Sequence, residues 1–207
     1  MQQETVWPTP KGDVFILPHC SEDCIRAYSF GDQFGRYAQY KSLYTHRDSL
    51  VDIASHKDAR VTLAVNKKKK IVGFGLLSLP EPGERWAELG DGVMVEVKAV
   101  EVSRRWRNGG LAKGILASLL SDPDIEAKII YMVGYSWTWD LDGSDLTALE
   151  YRNMLIRLFT EFGFQEYQTN EPNICLKPEN LFMGCIGNAI SEKLQKDFKW
   201  LRFGVAP

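Results

Sequence analysis

Between Val93 and Leu120 the chain changes its hydrophobic period. Val93, Val95, Val97 and Ala99 alternate with Met94, Glu96, Lys98 and Val100, so apolar residues fall on both faces of much of this segment. That pattern predicts a central strand covered on two sides. Leu111, Ile115, Leu116, Leu119 and Leu120 then recur at helical spacing, with Gly109 and Gly110 standing where that helix begins.

The same reading extends along the chain. Val14 to Leu17 is a short strand stopped by Pro18, and Ser21-Glu22-Asp23 supplies an N-cap and acidic first turn for a helix to about Ser29. Gly31 to Tyr44 is glycine-punctuated, and with Tyr28, Phe30, Phe34, Tyr37, Tyr40 and Tyr44 it reads as an aromatic loop and short helix packed on the core. Asp48 to His56 is helical. Val61 to Asn66 and Ile71 to Leu79 form a hairpin whose tip, Lys67 to Lys70, is a solvated turn. Ile129 to Val133 is a buried-type strand, and Tyr151, Leu155, Leu158, Phe159 and Phe162 share one helical face ended by Gly163. Phe164 to Thr169 and Leu181 to Ile186 are the remaining strands, and Ile190, Leu194, Phe198 and Leu201 mark a C-terminal helix. The order β-α-(α)-β-β-β-α-β-α-β-β predicts an α/β layout on a mixed sheet.

Composition narrows the classes of function. At 207 residues the chain is most simply one domain, able to bury roughly 70% of its unfolded surface. A formal net charge of −2 and a pI near 6.0 point away from nucleic acid and toward small molecules or proteins. No apolar run approaches a membrane span and the first residues lack a signal-peptide pattern, so a cytoplasmic protein with no membrane partner is expected. Cys20, Cys24, Cys175 and Cys185 show no C-x-x-C spacing and form no ligand cluster with His19, His46 and His56. They read as reduced, packed thiols, with no metal site expected.

The junction between strand and helix carries the first chemistry. A helix start exposes unpaired N–H groups at the positive end of its dipole, and glycines there let an anion approach the backbone. Arg107 adds a full charge, so the turn suits a phosphate or pyrophosphate, although a tight strand-to-helix connection would show the same glycines.

Arg107-Asn108-Gly109-Gly110-Leu111-Ala112 resembles the R/Q-x-x-G-x-G/A signature of the GNAT superfamily of acyl-CoA-dependent N-acetyltransferases, with Ala112 at the last position. The resemblance implies the GNAT fold: a central, mixed, mostly antiparallel sheet flanked by helices. It also implies acetyl-CoA as cosubstrate with no metal, its pyrophosphate on the amides of residues 107 to 112, its thioester near the Val100 N–H and its pantetheine arm along Val100 to Val102. The single domain then divides into an N-terminal strand and helices (1–60), a cofactor-binding core (61–165) and C-terminal strands and helix (166–207).

Acetylating an amine needs a proton acceptor and a route to protonate the leaving thiolate. Glu96 is the first candidate for the base. It sits among valines, and it lies eleven positions before Arg107, where GNAT protein-lysine acetyltransferases carry a strand glutamate. Lys98 shares its face in a regular pleat and would instead hold it as an ion pair. Glu101 is the competing base if the strand carries the bulge found in that family. Phe159 stands where many GNAT enzymes place a tyrosine acid, which leaves Tyr135 or Tyr151, or water, to donate.

A closer likeness runs from about Leu50 to Phe203. Glu84-Arg85-Trp86, Trp137-Thr138-Trp139-Asp140-Leu141, Glu150-Tyr151-Arg152, Glu171-Pro172 and the tail from Ile186 to Phe203 resemble the acetoin utilization acetyltransferases. That likeness implies acetylation, and so inactivation, of acetyl-CoA synthetase on a lysine. Glu88, Asp91, Asp140, Asp142 and Asp145 are placed to steer a cationic acceptor, with Trp137 and Trp139 packing on it, unless both tryptophans are core. A small-amine N-acetyltransferase and a non-catalytic acyl-CoA sensor share the cofactor features. Oligomeric state is not legible.

Overall fold

The structure, a computed structural model, describes residues 4–34 and 46–205. Its strands are β1 (Thr5–Trp7), β2 (Val14–Leu17), β3 (Ser29–Phe30), β4 (Arg60–Asn66), β5 (Lys70–Ser78), β6 (Met94–Val102), β7 (Ile129–Gly134), β8 (Gln165–Glu166) and β9 (Leu181–Ile186). Its helices are α1 (Glu22–Arg26), α2 (Arg47–Ser55), α3 (Leu111–Leu119), α4 (Ala148–Thr160), α5 (Pro172–Cys175) and α6 (Glu192–Leu201). The strands form a mixed sheet flanked by helices, as expected. Two compact units divide the chain: Met1–Ser78 with Lys98–Ser121, and Leu79–Val97 with Asp122–Pro207, so β6 contributes residues to both.

In the first unit the strand order is β1-β2-β4-β5-β6, with β3 parallel to β5. Val61 to Val65 and Ile71 to Ser78 are buried continuously, as strands covered on both faces must be. One face packs Leu63, Val65, Phe74 and Leu76 against Ile25, Leu50 and Ile53 of α1 and α2. The other packs Val14, Ile16, Ala64, Val72 and Val102 against Leu111 and Ile115 of α3. The register steps from Val65↔Ile71 to Ala64↔Gly73, a bulge that inserts Val72. Beyond it, a Cβ at Gly73 or Gly75 would lie 2.9 or 2.7 Å from Ile115 methyls. The bare backbone of β5 therefore lets α3 lie close to the sheet.

In the second unit the order is β6-β7-β9-β8. β6 and β7 run parallel with Met94↔Ile129 and Glu96↔Tyr131 in register, and β9 is antiparallel to β7 and β8. Its core joins Trp86, Met94, Ile129, Tyr131, Ile174, Phe182, Ile190 and Phe198. Trp86 stacks on Phe182 at 4.5 Å, and Tyr131 stacks on the same ring at 5.7 Å. α4 begins with a capping box between Thr147 and Glu150, and α6 is capped by Ser191.

Several elements differ from the pattern reading. α1 ends at Arg26, because Ser29 and Phe30 leave it to pair with Lys70 and Ile71. The strand expected over Phe164 to Thr169 is only Gln165–Glu166, since Phe164 turns inward to meet Phe159 edge-on at 5.1 Å. The C-terminal helix starts at Glu192, with Ile190 ahead of its cap. β1, β3 and α5 have no counterpart in the hydrophobic pattern, being two to four residues long. Phe30 and Phe34 pack on Phe74, as a loop resting on the core should, whereas Tyr37, Tyr40 and Tyr44 lie outside the described residues. Cys20 is buried, Cys24 and Cys185 are half-buried, and all four cysteines are free. Cys175 is exposed, so it is not the packed thiol expected.

Candidate active site

The turn after β6 is built to leave backbone donors open. Asn108 and Gly110 both take left-handed φ values, 63° and 69°, and Gly110 is the N-cap of α3 with no side chain to cap it. The first intrahelical bond runs from Gly114 N to Gly110 O at 3.2 Å, so the N–H groups of Leu111 and Ala112 have no acceptor within the helix. Trp7 Nε1 donates to Gly109 O at 3.0 Å, tying the turn to β1. Arg107 Nε donates to Val102 O at 3.0 Å, so this arginine also braces the turn across its base. Val100 and Val102 pack in the α3 core, leaving their main chain on the segment that enters the turn. The residues fit a pyrophosphate: an open helix start, a left-handed glycine and an arginine, all fixed from below.

The lysine hairpin tip also belongs to the first unit. Lys67, Lys68 and Lys70, with Lys11, Arg105 and Trp106, line a cavity of about 450 Å³. Lys67 reaches Asp13 at 3.0 Å, and Lys67, Lys68 and Lys69 are exposed, as residues of a solvated turn are.

The second unit holds Glu96, Tyr135, Trp137, Trp139 and Asp140, whereas Glu101 belongs to the first. Glu96 is half-buried and pairs across the sheet with Tyr131, on the face that Met94 and Ile129 share. Burial, and then the carboxylates of Glu96 and Glu84, Tyr135 and Glu81, push the Tyr131 phenol far above its ordinary range. Burial followed by Glu171, Glu96 and Glu84 pushes Tyr135 up to about 12. Both phenols therefore keep their protons at neutral pH. Two polar atoms of this acidic neighbourhood are buried without a hydrogen-bond partner: the Tyr131 hydroxyl and Glu171 Oε2.

Beyond β7 the chain forms an ordered aromatic turn. Ser136 N donates to Asn180 Oδ1 at 2.7 Å, and Thr138 Oγ1 donates to Tyr135 O at 2.8 Å. Trp137 stacks on Tyr135 at 4.7 Å, carries Lys177 over its ring at 4.9 Å and remains 52% exposed. Trp139 stacks inward on Tyr151 at 5.1 Å, and Asp140 is buried. Glu88, Asp91, Asp142 and Asp145 are exposed. Phe159 is buried against Phe164, a core ring with no acidic group. Among the described residues no group of three or more His, Cys, Asp or Glu is placed to hold a metal, and no helix is long and apolar enough to cross a membrane.

No family model matches the sequence. Over 195 residues, however, it is 31% identical to the acetoin utilization protein AcuA of Bacillus licheniformis, covering 94% of this chain and 91% of the relative. The chain belongs to the AcuA family. An acetoin utilization protein from Exiguobacterium sibiricum has the same fold as this AcuA-family chain with a TM-score of 0.89 at 26% identity, over 97% of this chain and 93% of that one. The ribosomal-protein-S18-alanine N-acetyltransferase of Escherichia coli, at 11% identity and a TM-score of 0.53 over 86% and 97% of the two chains, shares the fold alone. That fold is the GNAT acetyltransferase fold expected from the Arg107 to Ala112 turn.

Within that frame Tyr131 and Glu171 are the functional candidates the AcuA-family sequence concealed. Tyr131 reads as one more member of an apolar strand, and only its place opposite Glu96 sets it apart. A single tyrosine amid β-branched residues was the available signal.

Proposed function

We propose that the chain is an acetyl-CoA-dependent N-acetyltransferase of acetoin utilization that acetylates, and so switches off, acetyl-CoA synthetase on a lysine in the cytoplasm. One observation carries the cofactor half: the uncapped, glycine-led start of α3 behind Arg107, in a chain of the AcuA family. Acetyl-CoA, when bound, supplies an activated acyl group and a thiol leaving group. Residues 107 to 112 hold its pyrophosphate through main-chain N–H groups, and Val100 to Val102 offer main chain to its arm and thioester. Glu96 takes the proton of the acceptor amine, with Glu101 as the competing base. Tyr135 keeps its proton at neutral pH and serves as donor in place of the family tyrosine absent at Phe159.

A protein acceptor is favoured by Trp137. A tryptophan held half-exposed by a stacked tyrosine, beside a lysine, is the kind of rigid amphipathic surface that protein interfaces use. Trp139, stacked on Tyr151, and the buried Asp140 complete the proposed acceptor site, and the exposed acids of the flanking loops favour a cationic side chain.

The test is label transfer. Incubation with labelled acetyl-CoA, offering purified acetyl-CoA synthetase or a panel of small amines, is expected to label the synthetase on lysine. Labelling of small amines in preference overturns the protein-acceptor reading, and tight CoA binding with no transfer to any acceptor overturns the enzyme reading.

A further inference from the structure

Tyr131 is an unusual core residue. It has no exposed surface, it stacks on Phe182 and lies 5.6 Å from Trp86, and its hydroxyl is buried with no hydrogen-bond partner. A phenylalanine would fill the same ring slot without that cost, since an unsatisfied buried hydroxyl is destabilising and replacing it with an apolar group is close to neutral. The hydroxyl stands on the strand position beside one acidic residue in particular. Glu96 lies directly opposite Tyr131 in the parallel β6–β7 register, where side chains on one face are neighbours, and Glu96 itself is only half-buried.

We propose that Tyr131 is the positioning residue of Glu96: its buried hydroxyl donates across one bridging water to the Glu96 carboxylate and holds it toward the acceptor amine. This rests on the reading of Glu96 as the base. The proton balance is simple. The amine's proton passes to the Glu96 carboxylate, while the phenol proton stays on Tyr131 as a donor throughout. The upward shift of the Tyr131 phenol fits that role, because a group that never ionises in the working range always keeps an O–H to donate.

Other charges face the same place. Glu81 and Glu84 approach Tyr131 from the segment before β6, and Tyr135 from the end of β7. Glu171 approaches Tyr135 from the start of α5, Arg85 lies over Trp86 at 5.9 Å, and Lys98 follows Glu96 on β6. All of them remain in a Tyr131→Phe variant, so that change isolates the hydroxyl.

A donor to the ionised carboxylate favours ionisation, so its loss makes Glu96 easier to protonate. In Tyr131→Phe the acid limb of the kcat/KM profile is expected to move up by about one pH unit, roughly a tenfold loss of rate below that limb. The melting temperature should be unchanged or higher, and acetyl-CoA affinity unchanged. In a Glu96→Gln background, itself strongly impaired, adding Tyr131→Phe should cost nothing further. An unmoved pH profile in Tyr131→Phe, with Glu96→Gln impaired, overturns the positioning role alone and leaves a core ring. Full activity in Glu96→Gln overturns the base assignment, and the positioning role with it.

Discussion

Adding one carbon to α3 tests how the anion turn is held. A Cβ at Gly114 would lie 2.7 Å from Ile16 Cδ1 and 2.8 and 3.0 Å from Trp7 Cε3 and Cδ2, closer than carbon atoms pack. Overpacking of this kind costs about 1–3 kcal/mol. Replacing an interior helical glycine by alanine returns about 1 kcal/mol. The clash should win by roughly 1 kcal/mol, lowering the melting temperature of Gly114→Ala by about 2–4 °C for a chain of this size. The larger consequence is local. Trp7 is the residue displaced, and its Nε1 donates to Gly109 O at 3.0 Å, so the turn loses its tie to β1. One such bond contributes about 0.5–1.5 kcal/mol, which sets an expected loss of acetyl-CoA affinity of up to about tenfold. Calorimetric titration with CoA alongside thermal melts measures both effects. Trp7→Phe, which removes the donor without the clash, should reproduce the affinity loss. A Gly114→Ala protein that melts higher and binds CoA as the parent does would refute the idea that close packing of α3 on Trp7 shapes the turn.

Thr147→Ala breaks the capping box of α4 and should cost about 0.5–2 kcal/mol in a melt, with acetyl transfer at saturating substrate unaffected. Trp137→Ala should leave the melting temperature in place, because the ring is 52% exposed, while raising KM for the protein acceptor and not for a small amine. Alkaline stability should fall from about pH 10 upward. Below that pH Tyr135 is protonated in both folded and unfolded chains; above it the unfolded chain ionises first, and the folded state loses ground until its own value near 12 is passed. Tyr135→Phe should flatten that decline in a pH series of melts.

The parts of the fold legible in the sequence are those where one residue period persists for a full element. β4, β5, β6 and α3 are long enough for alternation or helical recurrence to repeat, and their boundaries agree with expectation to within a residue or two. β3 and β8 have two residues each, so their pairing is decided by what lies alongside and not by their own pattern. The bulge at Val72 was invisible for a related reason. It is a mismatch between two strands, and neither strand alone records it.

The candidate site divides along the same line. The open turn at residues 107 to 112 is legible because main-chain donors need only glycine freedom and a helix start, both written locally. The acidic neighbourhood of Tyr131 and Tyr135 was not, since Glu81, Glu84, Glu96 and Glu171 are scattered over ninety residues of sequence and act together only through proximity. Burial then does what composition cannot show: with the surrounding carboxylates it pushes both phenols further above their ordinary range. Phe159 supplies the complementary step. Packed against Phe164, that position holds a buried ring without an acid, so it offers no proton to a leaving group. Tyr135, just beyond the end of β7, is the phenol proposed for that step, and it still holds its proton at neutral pH.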